Sequence, residues 1–187
     1  MPIKTPICDF GQKAKSFELK STNNQIVTLN DIKGKNGTLI MFICNHCPYV
    51  KAIVKDIVED CKNLKKLGIK TVAICSNDSI NYPEDSFDNM IKFSKDHNFN
   101  FPYLIDETQE VAKDYDAVCT PDFFGYNKNF ELQYRGRIRE LRNLKPVRTG
   151  YSDLLKAMKQ IAETDMGPKK QVPSMGCSIK WLHNQCI

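Results

Sequence analysis

The run Cys44-Asn45-His46-Cys47-Pro48 places two thiols three positions apart, a spacing that serves either a bound metal or a dithiol redox couple. A zinc ribbon needs two such pairs. The other six cysteines, Cys8, Cys61, Cys75, Cys119, Cys177 and Cys186, do not repeat the spacing. The residues therefore favour thiol–disulfide exchange. The alternative from another class is a Cu(I) or Zn(II) site built from Cys44, Cys47 and either His46 or Cys119. His183 and Cys186 also have a metal-ligand spacing, but isolated and at the end of the sequence they read as a frayed terminus.

Such a pair needs a backbone that supplies unpaired N–H groups, and the flanking elements provide one. Residues 38–43 are a continuous apolar run behind Gly37, suited to a central strand covered on both faces. After the pair, Val50, Ile53, Val54, Ile57, Val58, Cys61, Leu64 and Leu67 recur at helical spacing, and Gly68 stops the helix. Residues 69–75 form a second buried strand, completing a parallel, right-handed β–α–β unit. At the strand-to-helix junction, free N–H groups and the helix dipole lower a thiol pKa from its free value of about 8.5. Cys44 is expected to be the attacking thiolate, and Cys47, nearer the first turn and more buried, the resolving thiol. Pro48 suits the first turn, whose N–H has no helical partner. His46 reads two ways, as a neighbour that stabilises the Cys44 thiolate or as a solvent-facing loop residue. Cys61 and Cys75 fall on apolar faces and read as small buried hydrophobes.

The remaining elements surround this unit. Residues 17–19 and 26–28 are β-type pieces around Asn23-Asn24, a hairpin pattern. Helices are expected over 84–97, 107–115 and 151–164, and a strand over 101–105. The apolar arms Phe123-Phe124 and 130–138 flank a turn at Asn127-Lys128-Asn129 and form a second hairpin. Parallel β–α units followed by an antiparallel hairpin and a helix describe a three-layer α/β/α domain over 1–164, with an N-terminal hairpin extension. Residues 165–187 form a C-terminal tail packed on that domain, with Trp181 as its buried anchor. Cys8 lies in an N-terminal stretch expected to be mobile.

Composition sets the outer limits. An apolar share of 41% and a charged share of 26% are those of an ordinary globular protein. No stretch approaches the ~20 apolar residues of a membrane span. Residues 1–10 contain Pro2, Pro6 and Asp9 and no apolar run, so the expected compartment is the reducing cytoplasm. There, eight cysteines point to redox chemistry or metal rather than to structural disulfides. Residues 1–131 carry 16 basic and 18 acidic side chains, whereas 132–187 carry 11 and 4. All five arginines, Arg135, Arg137, Arg139, Arg142 and Arg148, lie in that second part. This stripe reads as the solvated face of a strand and its following loop; the alternative is a docking surface for an anionic partner. Nucleic acid is not expected, because the interleaved aromatics of a dedicated binder are lacking. No glycine-rich nucleotide loop follows a strand, so no organic cofactor is expected.

The segments Gly11-x-x-Ala14-x-x-Phe17-x-Leu19, Phe42-Ile-Cys-Asn-His-Cys-Pro-Tyr-Val50, Cys119-Thr-Pro-Asp-Phe-Phe124, Tyr134-Arg-Gly-Arg-Ile138 and Pro173-Ser-Met-Gly-Cys-Ser-Ile-Lys-Trp181 together extend the argument. Over most of its length the chain resembles the thioredoxin-fold superfamily and, within it, the AhpC/TSA peroxiredoxin-like subgroup. The resemblance implies a thioredoxin-like fold and an oxidoreductase with an antioxidant-type role. Its substrate would be a disulfide-containing protein or a small thiol compound, with an external dithiol as electron donor. It also implies that Pro121 is a cis-proline packed beside the cysteine pair, with Thr120 just before it. Cys119 would then approach Cys44, and Cys177 in the tail motif could fold back as an additional resolving thiol. One departure matters. Peroxiredoxins carry a Pro-x-x-x-Thr-x-x-Cys pattern, and aligning Cys47 with its cysteine puts Ile40 and Cys44 where Pro and Thr should be. Dithiol exchange therefore fits the residues better than peroxidase chemistry, which stands as the alternative. The buried acid that thioredoxins use as a proton acceptor is not identifiable from the sequence.

Overall fold

The computed structural model describes residues 2–182 of the chain, so the His183 and Cys186 spacing lies outside the described residues. After a short strand β1 (Pro2–Lys4), the Asn23-Asn24 turn joins β2 (Glu18–Ser21) to β3 (Ile26–Thr28), with Asn24 in the left-handed region at φ 65°. Strand β4 (Gly37–Phe42) leads through the cysteine pair into helix α1 (Pro48–Lys66) and strand β5 (Ile69–Cys75). A 3-10 turn (Pro83–Asp85) precedes α2 (Phe87–Asp96), followed by β6 (Tyr103–Ile105) and α3 (Glu110–Asp114). The second half comprises β7 (Cys119–Thr120), β8 (Asp122–Tyr126), β9 (Leu132–Arg135), the small pair β10 (Leu141–Arg142) and β11 (Lys145–Pro146), α4 (Asp153–Thr164) and β12 (Met175–Ser178).

Seven strands form one sheet in the order β3-β2-β6-β5-β4-β8-β9, with β5 parallel to both β4 and β6 and the other pairings antiparallel. Strand alternation divides the apolar run of β4 between two cores. Leu39, Met41 and Ile43 face α1 and α4, packing with Val50, Ile53, Ile57, Leu154 and Met158. Ile40 and Phe42 face the other way, onto Phe17, Ala112, Tyr115 and Phe124. The result is the expected α/β/α layering, with the cysteine pair at the end of the central strand. No helix among the described residues is long and apolar enough to cross a membrane.

Several local expectations are corrected. The helix expected over 84–97 begins at Phe87, because the Ser86 side chain caps it by accepting from the Asn89 N–H at 3.4 Å. That leaves Asp85 in the preceding turn, pointing inward and fully buried. The helix expected over 107–115 is reduced to α3, because Gln109 takes φ 64° and sends its amide to Ser76 O and Lys180 O. The N-terminal stretch is tied to the sheet: Gly11 N donates to Leu132 O and Ala14 N to Phe130 O, both at 2.9 Å. Trp181 is not buried but 38% exposed, with Lys113 over its ring, and Ile179 (3% exposed) holds that segment instead.

The arginine stripe is a solvated face only in part: Arg142 and Arg148 are largely exposed, whereas Arg135 and Arg139 are covered. Arg135 is buried against Asp122 at 2.9 Å and lies over the Phe124 ring. Arg137 pairs with Asp153, Arg139 and Arg148 both with Asp56, and Arg142 with Glu140. Each guanidinium meets a carboxylate, so the stripe's formal charge overstates what an anionic partner would meet.

Candidate functional site

Cys44 follows the end of β4, and Cys47 is the residue that caps the N-terminus of α1, with extended backbone (φ −62°, ψ 122°) and Pro48 in the first turn. Both are buried, at 1% and 0% exposure. The Thr120–Pro121 peptide bond is cis, as the resemblance implies. Thr120 lies against both sulfurs, its hydroxyl 3.3 Å from Cys44 Sγ and its carbonyl oxygen 3.1 Å from Cys47 Sγ.

The two thiols act on each other's acidity. Cys47 is drawn down to about 5, first by its hydrogen bond with Cys44 and then, against burial, by the N–H groups of Val50 and Cys177. Cys44 is pushed up by that same hydrogen bond, by burial and by the charge of Asp85. Within the pair, Cys47 is thus the thiol that is lowered and Cys44 the one that is raised.

A buried acid organises the loop between the cysteines. One Asp85 oxygen accepts from the backbone N–H groups of Asn45 (2.7 Å) and His46 (3.3 Å). The other meets His46 Nδ1 at 2.6 Å and accepts from the Asn77 amide at 2.7 Å. Asn45 is fixed in turn by the Tyr103 hydroxyl (3.0 Å) and by Glu84 O (3.0 Å). Burial alone would raise the Asp85 pKa, but these hydrogen bonds hold it below the usual carboxylate range. His46 is raised, chiefly by its hydrogen bond to Asp85, and its ring stacks on Tyr82. His46 is therefore anchored rather than a free loop residue. Pro83 followed by Ser86 marks a helix start just beyond Asp85, but that pattern does not place Asp85 at the cysteine loop.

Sulfur Sγ of Cys44, a His46 nitrogen and an Asp85 oxygen lie within 4.8 Å of one another. A soft cation would have to displace hydrogen bonds that Asp85 already accepts, so this donor set fits a metal poorly. Of the other thiols, Cys177 in β12 is half-buried, stands opposite Thr120 in the strand register and packs against the cluster that contains Cys44 and Cys47. Cys119 is fully buried and turns its sulfur to Pro121 O at 3.6 Å. Cys61 and Cys75 are sealed in the core, and burial pushes both thiols up, Cys75 to about 12.

A crystal structure of an uncharacterized conserved protein from Geobacillus kaustophilus is 40% identical and covers 97% of both chains, with a TM-score of 0.92. The thiol-disulfide oxidoreductase ResA of Bacillus subtilis (strain 168) is 29% identical over 117 residues, 63% of this chain and 61% of that protein. Peroxiredoxin Bcp from the same organism is 25% identical over 162 residues, 83% of this chain and 98% of that protein. The model of the AhpC/TSA family matches residues 10–141, which carry the β4–α1 junction, Asp85 and the cis-proline, and the chain belongs to the AhpC/TSA family.

Proposed function

We propose that the chain is a thiol–disulfide oxidoreductase whose redox couple is Cys44 and Cys47. The observation that carries this reading is the placement of both sulfurs at the strand-to-helix junction against Thr120, whose hydroxyl lies 3.3 Å from Cys44 Sγ and whose carbonyl oxygen lies 3.1 Å from Cys47 Sγ. In the reducing direction Cys44 passes its proton to Cys47 and attacks a substrate disulfide. One substrate half leaves as a thiolate, and His46, whose pKa is raised by its hydrogen bond to Asp85, is placed to give it a proton. Cys47, deprotonated again, attacks the Cys44 sulfur, closes the intramolecular disulfide and releases the second half as a thiol. An external dithiol regenerates the pair. The substrate class is a protein or small-molecule disulfide, and the compartment is the cytoplasm. Cys44→Ser is expected to abolish disulfide reduction in an assay coupled to thioredoxin reductase or glutathione; full retained activity would overturn the reading.

The depressed Cys47 thiol also favours a second reading, a peroxidase attacking through Cys47, supported by the similarity to peroxiredoxin Bcp. Stopped-flow mixing with hydrogen peroxide separates the two: a rate no faster than that of a free thiol eliminates the peroxidase.

A further inference from the structure

Both sulfurs of the couple are buried, at 1% and 0% exposure, yet an exchange enzyme must trade disulfides with molecules in solution. The half-buried Cys177 lies beside them. Strand β12 runs antiparallel to β7 with Cys177 opposite Thr120, the residue that contacts both sulfurs of the couple. The approach is close. A Cβ added at Gly176 would fall 2.0 Å from Thr120 O, so glycine is what lets β12 seat there. On its other edge β12 is held by β1, with Cys177 opposite Pro2. The Cys177 side chain packs against the apolar cluster that contains both Cys44 and Cys47.

We propose that Cys177 is a relay thiol that carries the disulfide of the buried couple outward, where an external dithiol can reduce it. This rests on the dithiol reading above. In the oxidised protein the Cys177 thiolate attacks the Cys47 sulfur. The Cys47–Cys177 bond forms and the Cys44–Cys47 bond breaks. Cys44 leaves with the electron pair and takes up the proton that Cys177 gave up. Cys177 is oxidised as Cys44 is reduced, so no further oxidant is required. The external dithiol then attacks the Cys177 sulfur, and Cys47 is released as a thiolate. The donor's second thiol closes the donor's own disulfide and frees Cys177.

The electrostatics suit this order. In the reduced protein burial, and then the hydrogen bond and charge of Cys47, hold the Cys177 thiol up at about 11. Oxidation of Cys47 removes the last two influences. Cys177 therefore becomes more acidic at the stage that calls for its thiolate.

The test is disulfide mapping of the full chain after limiting oxidation with diamide, acid quenching and alkylation. Both Cys44–Cys47 and Cys47–Cys177 are expected. Cys177→Ser should still form Cys44–Cys47, but dithiothreitol should reduce that bond about tenfold more slowly than in the parent, because attack depends on access to the sulfur. Cys44→Ser, which leaves β12 untouched, should form Cys47–Cys177. An unchanged reduction rate in Cys177→Ser, or free thiols at both Cys47 and Cys177 in oxidised Cys44→Ser, overturns the relay. A wild-type map showing Cys44–Cys47 alone sinks the relay and leaves the dithiol reading standing; a map showing neither bond sinks both.

Discussion

Asp85 and His46 show how a residue with no motif of its own sets the chemistry of one that has a motif. The Asp85 carboxylate is buried, and its charge is balanced only if His46 keeps its proton. The signs follow from the two directions. His46 is raised, so its contribution to stability is complete below the unfolded value of about 6.5 and fades as the pH rises through the folded value. Asp85 is lowered, so its contribution is complete above the unfolded value of about 3.9 and is lost as the pH falls through the folded one. Asp85→Asn should therefore destabilise most between those limits and less above them. It should also bring the His46 NMR titration midpoint from above 6.5 down to 6.5 or lower. A variant midpoint as high as the parent's would mean that Asp85 does not hold the imidazolium. The cysteine pair was readable because its two members are neighbours in the chain and the flanking periodicities are strong. Asp85 reaches the same loop from about 40 residues away, and Cys177 through strand pairing, which no local spacing encodes.

Among the elements, those that were legible are the ones whose sequence is decided by burial. Strand β4 is apolar throughout because it feeds two cores, and α1 repeats apolar residues because one face is covered by the sheet. The starts of α2 and α3 are decided by single residues, Ser86 and Gln109, and so lie a few residues from where periodicity alone puts them. Strand β12 was missed for a different reason: Met-Gly-Cys-Ser has no β-branched residue, and only the pairing with β1 and β7 makes it a strand. The Asp122–Arg135 pair, joining β8 to β9 next to the cis-proline, offers a test of what a buried ion pair contributes. Burial pushes the Asp122 carboxyl up, and Arg135 opposes that through two hydrogen bonds. Arg135→Met leaves the carboxylate uncompensated and should cost about 3–5 kcal/mol in urea unfolding. Adding Asp122→Leu should return most of that loss, since replacing both partners removes the desolvated charge. If the double variant is as unstable as the single one, the hydrogen bond from Arg135 to Asp116 O and its packing over Phe124, rather than the charge pair, hold this corner together.

At the scale of the whole molecule the redox state and the stability of the fold are linked through one proton. In the reduced fold Cys47 ionises near 5, whereas in the unfolded chain it behaves as an ordinary thiol near 9.0. Between those values the unfolded chain binds more protons than the folded one, so the stability of the reduced protein rises with pH, by at most roughly 1.4 kcal/mol per pH unit. Cys44 is raised and keeps its proton in both states up to about pH 8, so it adds no slope there. The oxidised protein has no thiol at either position and lacks this dependence. Groups remote from the couple, among them the buried Asp60 with its carboxyl raised to about 6, titrate alike in both redox forms and cancel in the difference. The expected outcome is a melting temperature for the reduced protein that gains several degrees on the oxidised one between pH 5 and pH 8, measured by calorimetry on the two forms in parallel. The same stabilisation makes the couple more oxidising as the pH rises from 5 to 8, relative to an ordinary dithiol. A gap that is flat or closes over this range would place the charge of the reduced couple elsewhere than on Cys47, and with it the order in which Cys44, Cys47 and Cys177 exchange their bond.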